Sequence, residues 1–386
     1  MFKKSLAVLA VLGAFAGVSS AAEVTLYGRV DAGLQYQHID QDEANVDDDD
    51  NFAMKSGFTT GSRWGMKGTE DLGNGMTVGF VLENGFNVDD GSLGDSDRLF
   101  NRESQVFVRS NFGELSFGRV GQLNSGNGTY GLTGSISPFG TTWGDYSGNS
   151  SNFMSGGARF DNTVTYKSPA FAGFNIYAQY SFDGNSQADN DPTAAEAHGT
   201  EGKSSVDRYY GIGATYKNGN VNMVLVVDST NYSTKFYGED VDDSLVVTLG
   251  GSHDLSVVKP YIGVQYFDNA DMSSIGIVDS FSDVSRGDDF AEGWGLTIGA
   301  DIPLFGGTAK IGASYIDADY ESYESKDLTG DFSAWALTAG YKYNLSKRTY
   351  VYGALSYASL KDNDDAKNEE TKPSAVEGAI GLVHMF

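Results

Sequence analysis

The chain contains no cysteine, and only 6 prolines and 4 histidines in 386 residues. Without thiols there is no disulfide framework and no thiol chemistry, so the fold must be held by hydrogen bonding and packing. His38, His198, His253 and His384 fall in separate segments without metal-ligand spacing. Basic side chains are in the minority: Lys and Arg total 26 against 52 Asp and Glu, for a formal net charge of −26. That balance argues against nucleic acid and anionic membrane surfaces as partners. Long apolar runs are missing as well. The run from Leu6 to Gly17 is too short for a membrane helix, and nothing later approaches the roughly 18 residues that such a span needs.

Lys3 and Lys4 precede that run, and Ser20-Ala21-Ala22 follows it. A basic start, a short apolar stretch and small residues before Glu23 read as a cleaved secretory signal over residues 1–22. An exported chain without a helical span can enter a membrane only as strands closed into a barrel. The rest of the composition suits strands joined by tight turns, with Gly 50, Tyr 22 and Phe 23. No Pro/Ser linker or shift in composition divides residues 23–386, so a single domain is expected.

Alternation at period two runs through that domain. From Val24 to Tyr36 the even positions are Val, Leu, Gly, Val, Ala, Leu and Tyr, and the odd ones are Thr25, Tyr27, Arg29, Asp31, Gly33 and Gln35. In a strand these two sets lie on opposite faces. The pattern returns in segments such as Phe58–Gly68, Met76–Val88, Phe174–Phe182, Val258–Tyr266, Ala309–Tyr315 and Val376–Phe386, giving 16 strands in all. Connections alternate between short ones, such as Asp71–Gly75 and Pro303–Gly307, and long ones. The long ones are His38–Ser56, Asp89–Asn101, Val120–Gly157, Asp183–Ser205, Thr230–Asp242, Asp268–Phe290, Asp317–Asp331 and Asp362–Ser374. An even strand number with one trimmed and one elaborated rim predicts an all-β, antiparallel, up-and-down transmembrane barrel. Most long loops are acidic, as at Asp47–Asp50, Asp288-Asp289 and Asp364-Asp365. The third, residues 120–157, carries Asp145 as its one charged residue. Its length and lack of periodicity require a function, and narrowing the lumen is the one proposed here.

The segments AEVTLYGRVDAGLQY, SRWGMKGTEDLGNGMTVGF and FGELSFGRVGQ, together with the terminal Phe386, resemble the general porins of Gram-negative outer membranes, of the kind common in β-proteobacteria. The resemblance covers essentially all of residues 23–386. It implies a homotrimer of 16-stranded barrels in outer-membrane lipid and lipopolysaccharide, whose third loop folds inward over a water-filled channel for ions and small hydrophilic solutes. It also implies that Phe386 in AIGLVHMF helps the barrel assembly machinery recognise the last strand. By position it supplies Arg29, Arg63 and Arg159 to a basic cluster on the pore wall. Arg102 lies near a fourth position, for which Ser104 is the most direct match. Where many relatives carry a PEFGG-like segment, this loop reads Pro138-Phe139-Gly140-Thr141-Thr142, so Asp145 is expected to face the arginines almost alone. On their own strands Arg29 and Arg63 fall on the polar, lumenal face, where Asp31 or Glu83 could neutralise them. The resulting constriction is locally basic beneath an acidic mouth.

Other readings use the same residues. A solute-specific channel would need a binding track, which Tyr130, Trp143 and Tyr146 could form. The acidic loops could share Ca²⁺ or Mg²⁺ with lipopolysaccharide phosphates, since hard cations favour carboxylate oxygen, but no dedicated metal or cofactor site is expected. Gly126-Asn127-Gly128-Thr129-Tyr130-Gly131 matches a dinucleotide-binding pattern without the helix that would have to follow it. A barrel hydrolase would rest on His38 with Asp40 or Asp42, or His198 with Asp189 or Asp191, pairings that acidic loops produce by chance. An adhesin or solenoid would show a short internal repeat, and none is present. The chain is therefore not expected to be an enzyme.

Overall fold

A computed structural model describes residues 23–42, 48–186, 201–203, 206–233, 235–236, 239–281, 289–322, 329–364 and 369–386. The signal segment lies outside them, as do Asp47, Asp189, Asp191, His198, Asp288 and Asp365. The first strands are β1 (Glu23–Asp40), β2 (Asp49–Ser56), β3 (Arg63–Gly73), β4 (Met76–Gly85), β5 (Glu103–Ser110) and β6 (Gly113–Gly121). After the third loop come β7 (Arg159–Lys167), β8 (Phe174–Ser181), β9 (Arg208–Asn218), β10 (Val221–Asn231) and two short pieces, β11 (Lys235–Phe236) and β12 (Glu239–Asp240). The remainder are β13 (Leu245–His253), β14 (Lys259–Asp271), β15 (Asp289–Leu304), β16 (Gly307–Ser322), β17 (Thr329–Asn344), β18 (Thr349–Asp364), β19 (Glu369–Thr371) and β20 (Ser374–Met385).

Sixteen of these strands form a closed antiparallel barrel, with β2 and β19 as two additional strands in the same sheet. Closure comes from β1, which pairs with β20 from Arg29↔Met385 to Asp40↔Ser374. Its other edge pairs with β3 over Glu23–Arg29 and with β2 over Ala32–Ile39. Phe386 finishes the seam, exchanging backbone hydrogen bonds with Gly28 in both directions. Each of the sixteen barrel strands therefore has two neighbours and the barrel has no open edge, as lipid requires.

The alternation settles which face is which. Leu26 at 62 % and Ile380 at 64 % exposure point outward, whereas Asp31, Gln35 and Gln37 are buried inside. Ring pairs such as Trp294–Tyr315 and Trp335–Tyr357 lie towards the long-loop rim, and Phe174–Tyr216 lies at the short-turn rim. Such aromatic bands mark the two water interfaces of a membrane barrel.

Several boundaries differ from the sequence expectation. The first, seventh and last long connections are partly strand, since β1 reaches Asp40, β16 reaches Ser322 and β18 reaches Asp364. A hairpin rising into water keeps its hydrogen-bond ladder but has no buried face, so the alternating signal vanishes where the pairing does not. The sixth connection contains a short helix, α1 (Gly276–Phe281), whose Ile277 and Val278 are buried with Tyr146 and Phe153. Conversely, residues 58–62, read as the start of a strand, leave the sheet and turn into the lumen. Gly57 at φ +76° starts the excursion, and the chain re-enters the sheet at Arg63.

Candidate pore constriction

Two structures narrow the lumen. The first is the third loop, between Gly121 and Arg159. Its apolar residues look scattered in the sequence but serve as anchors to the inner wall. Leu123, Tyr130, Ile136 and Met154 pack with Tyr177, Val224 and Val226 on β8 and β10. Polar anchors continue around the ring: Leu123 N donates to Gln179 Oε1 (3.1 Å), Gly148 N to Thr338 Oγ1 (2.8 Å) and Ser155 N to Gln265 Oε1 (2.6 Å). These partners stand on β8, β17 and β14, so the loop is fastened across the barrel interior.

The second is the inward excursion at residues 57–62. Buried Asp31 holds it from below. Asp31 Oδ2 accepts from Thr59 N (2.9 Å), Thr59 Oγ1 (2.7 Å) and Thr60 N (3.0 Å), and Oδ1 accepts from Tyr352 OH (2.9 Å). The excursion then meets the tip of the loop. Phe58 O accepts from Trp143 N (2.9 Å) and Gly144 N (3.2 Å), and Thr142 Oγ1 donates to Thr59 O. Phe58, Phe139, Trp143, Tyr350 and Tyr352 form the aromatic core of this junction, with Phe58 stacked on Tyr352 at 5.7 Å and 7°.

Between these structures lies a cavity of about 800 Å³ lined by Arg29, Arg63, Arg102, Arg159 and Lys259, and by Thr60, Ser137, Thr141 and Thr142. All four predicted arginines line it. Glu103 and Gln105 are buried and inward while Val106 is 48 % exposed, so alternation turns Ser104 outward; Arg102 precedes β5, outside that alternation, and its side chain lines the cavity. Arg102 Nε donates to Glu83 Oε1 at 2.8 Å, and Arg63 Nη1 lies 3.6 Å from the same oxygen. One carboxylate thus serves two guanidiniums. Among the described residues Asp31 pairs with no guanidinium, its oxygens being engaged by the excursion and by Tyr352 OH. Arg29 donates to Thr60 Oγ1 (3.1 Å) and Met385 Sδ (3.4 Å), and Arg159 donates to Asn127 Oδ1 (2.8 Å). Among the described residues neither has a carboxylate at ion-pairing distance.

Asp145 is not where the loop pattern suggested. Its carboxylate pairs with Lys55 Nζ on β2 (2.8 Å) and accepts from Gln37 Nε2 (2.9 Å) and Gln35 Nε2 (3.3 Å), so it faces the first hairpin instead of the arginines. The physical reason is the tight turn at Trp143 (φ +93°) and Gly144 (φ +99°), which redirects the chain before Asp145. Of the proposed solute track only Trp143 borders the cavity. Tyr130 is fully buried, Tyr146 is 3 % exposed and Trp143 is 7 % exposed, because each ring packs on the wall. Tyr130 OH donates to Glu114 Oε1 (2.9 Å), and burial pushes the phenol well above its ordinary value. Tyr130→Ala is expected to cost about 3–5 kcal/mol for a buried aromatic, and Tyr130→Phe about 1 kcal/mol for one hydrogen bond. The check is the temperature at which the folded barrel loses its compact migration in detergent electrophoresis. His38 pairs with Asp50 across the first hairpin (3.1 Å), not with Asp40 or Asp42.

Three lysines escaped notice in the sequence. Lys259 stacks over Tyr261 at 4.9 Å and Lys342 over Tyr350 at 4.1 Å. Lys310 pairs with Asp301 (2.8 Å) and donates to Pro138 O in the third loop (2.7 Å). Parity could have found them. Each shares a strand face with buried inward residues, namely Gln265 for Lys259, Ser314 for Lys310 and Thr338 for Lys342.

Sixteen strands closed around a polar lumen, banded by aromatics outside and narrowed by an inward loop, define a channel-forming barrel of the outer membrane. The chain belongs to the Gram-negative porin family, whose model matches residues 6–365. It is 34% identical over 401 residues to an outer membrane porin protein of Bordetella pertussis, covering 100% of both chains. It is 31% identical to outer membrane porin protein 32 of Delftia acidovorans, over 93% of this chain and 90% of that one. Among solved structures it is similar to the anion-selective porin from Comamonas acidovorans, with a TM-score of 0.65 and 28% identity over 95% of this chain and 100% of that one. The protein is an outer-membrane porin through which solutes diffuse.

Proposed function

We propose that this porin is a general diffusion channel whose constriction prefers anions. The observation that carries the reading is that Arg29 and Arg159 line the narrow cavity with no carboxylate at ion-pairing distance among the described residues. Lys259 and Lys342, held over tyrosine rings, add to it. A narrow, low-dielectric passage focuses such charge, whereas the acidic mouth is screened by salt. The similarity to a porin described as anion-selective points the same way. Reversal potentials across planar bilayers in a tenfold KCl gradient test it, with a sign that gives chloride the higher permeability as the expected result. Potassium preference would overturn it. A solute-specific channel is the second reading, and it would show saturable current block by small dicarboxylates or sugars.

The assembly belongs to the same proposal: a homotrimer in outer-membrane lipid and lipopolysaccharide, with Phe386 read by the barrel assembly machinery. The exposed acids of the outer hairpins, such as Asp49 and Asp50, would share Ca²⁺ or Mg²⁺ with lipopolysaccharide phosphates.

A further inference from the structure

The pairing of the pore arginines points to a residue on the excursion, not on the third loop. Thr60 Oγ1 accepts from Arg29 Nη1 (3.1 Å) and from Arg63 Nη2 (2.6 Å). Two like-charged side chains from different strands thus converge on one neutral oxygen. Their Cα atoms are register partners across β1 and β3, and such a pair of arginines would otherwise repel or recruit a carboxylate. A hydroxyl oxygen has two acceptor lone pairs and no net charge. It can therefore orient both guanidiniums without cancelling either, which a carboxylate at the same place would do. Arg63 reaches Glu83 with its other nitrogen at the same time, but only loosely, with Nη1 3.6 Å from Oε1.

Thr60 is itself held rigidly. Its N–H donates to Asp31 Oδ2 at 3.0 Å, and Asp31 N donates to Ser62 Oγ at 3.0 Å. Arg63 Nε is fixed by Gly61 O at 3.0 Å. The excursion at 57–62 thus presents one hydroxyl to the lumen between two arginines, and Asp31 is spent on holding the backbone that carries it.

We infer that Thr60 is a positioning residue for ion selectivity: a charge-neutral clamp that keeps Arg29 and Arg63 side by side at the pore surface and holds Arg63 at the long end of its contact with Glu83. This rests on the anion-preferring reading above. Thr60→Val keeps the shape and the backbone bond to Asp31 but removes the acceptor. Arg63 then closes on Glu83, and the chloride-to-potassium permeability ratio falls about threefold or more. Thr60→Ser restores the acceptor and recovers the unaltered ratio, whereas Thr60→Asp lowers it further by adding a negative charge between the guanidiniums.

The measurement is the reversal potential of each full-length variant in a planar bilayer, with heat-modifiable electrophoresis confirming a folded barrel. The unaltered protein tests the anion reading alone, and the differences among variants test the clamp alone. A Thr60→Val ratio equal to that of the unaltered protein would overturn the clamp. So would an equal fall in Thr60→Ser and Thr60→Val, which would trace the change to shape. An ordered fall from Ser to Val to Asp supports it, whatever the sign of the starting preference. Should Thr60→Val fail to fold, the Ser and Asp variants decide alone: Ser equal to the unaltered protein with Asp strongly reduced supports the clamp, and equal ratios for both overturn it.

Discussion

Replacing Arg29 and Arg159 together by glutamine lowers the chloride-to-potassium permeability ratio roughly twentyfold at 0.1 M salt. A guanidinium roughly 8 Å from a passing ion contributes about 2 kcal/mol at an effective dielectric of 20. Screening over a Debye length of about 10 Å cuts this to about 1 kcal/mol, or about fivefold for each residue. Among the described residues neither guanidinium has a carboxylate at ion-pairing distance, and their partners are Thr60, Met385 and Asn127. The loss should therefore appear in full. At 1 M salt the Debye length shrinks to about 3 Å, and the same double variant should differ from the unaltered protein by less than about twofold. Reversal potentials at the two salt concentrations check both values. A change as large at high salt as at low would mean that the substitutions altered the shape of the pore and not its charge.

The barrel was legible because its outer face must be apolar at every second residue for the thickness of a membrane. Leu26, Leu34 and Ile380 are all outward, and the sequence places them where alternation requires. Legibility ended where one face was no longer buried. The hairpin from Ile39↔Asp49 to Ala32↔Ser56 is well paired, but its upper part is wet on both sides and leaves little pattern. Residues 58–62 failed for the opposite reason. Phe58 satisfies the alternation, yet its ring stacks on Tyr352 inside the lumen, a contact set by a strand almost 300 residues away. The loop aromatics share that difficulty. Nothing local distinguishes a tyrosine that greets a solute from Tyr130, whose partner is Glu114 near the start of β6. Arg29 and Arg63 came from the family resemblance and agreed with parity, and the parity rule applied to β14, β16 and β17 would have added Lys259, Lys310 and Lys342. Asp145 could not be placed from its neighbours, because Trp143 and Gly144 turn the backbone through conformations that the sequence only hints at with one glycine.

That glycine is a sensitive position in the constriction. At Gly144, with φ +99°, an added Cβ would lie 2.1 Å from Glu377 Oε2 and 2.9 Å from the ring of Phe58. Glu377 is fully buried, and its carboxylate accepts from Gln35 (2.6 Å), Gln37 (3.0 Å), Asp145 N (3.1 Å) and Tyr146 N (3.3 Å). It cannot retreat without leaving several donors unmade, at about 1–3 kcal/mol for each that stays buried. Left-handed strain at alanine adds about 1–2 kcal/mol. The cheaper response is for the tip to leave the wall, giving up the bonds of Trp143 and Gly144 to Phe58 O. Gly144→Ala should therefore raise the detached population by about a hundredfold or more, since about 3 kcal/mol is the least the two costs imply. In planar bilayers this gives a noisy open-channel current with sublevels and closure at lower voltage. The barrel ladder is untouched, so the heat-modifiable shift on electrophoresis should persist. Gly91→Ala is the matched control: Gly91 has φ +76°, but nothing lies within 4 Å of its Cβ position. It carries the same backbone strain without the collision and should conduct as quietly as the unaltered protein. Quiet current in Gly144→Ala, or equal noise in both variants, would show that the contact with Glu377 does not hold the loop.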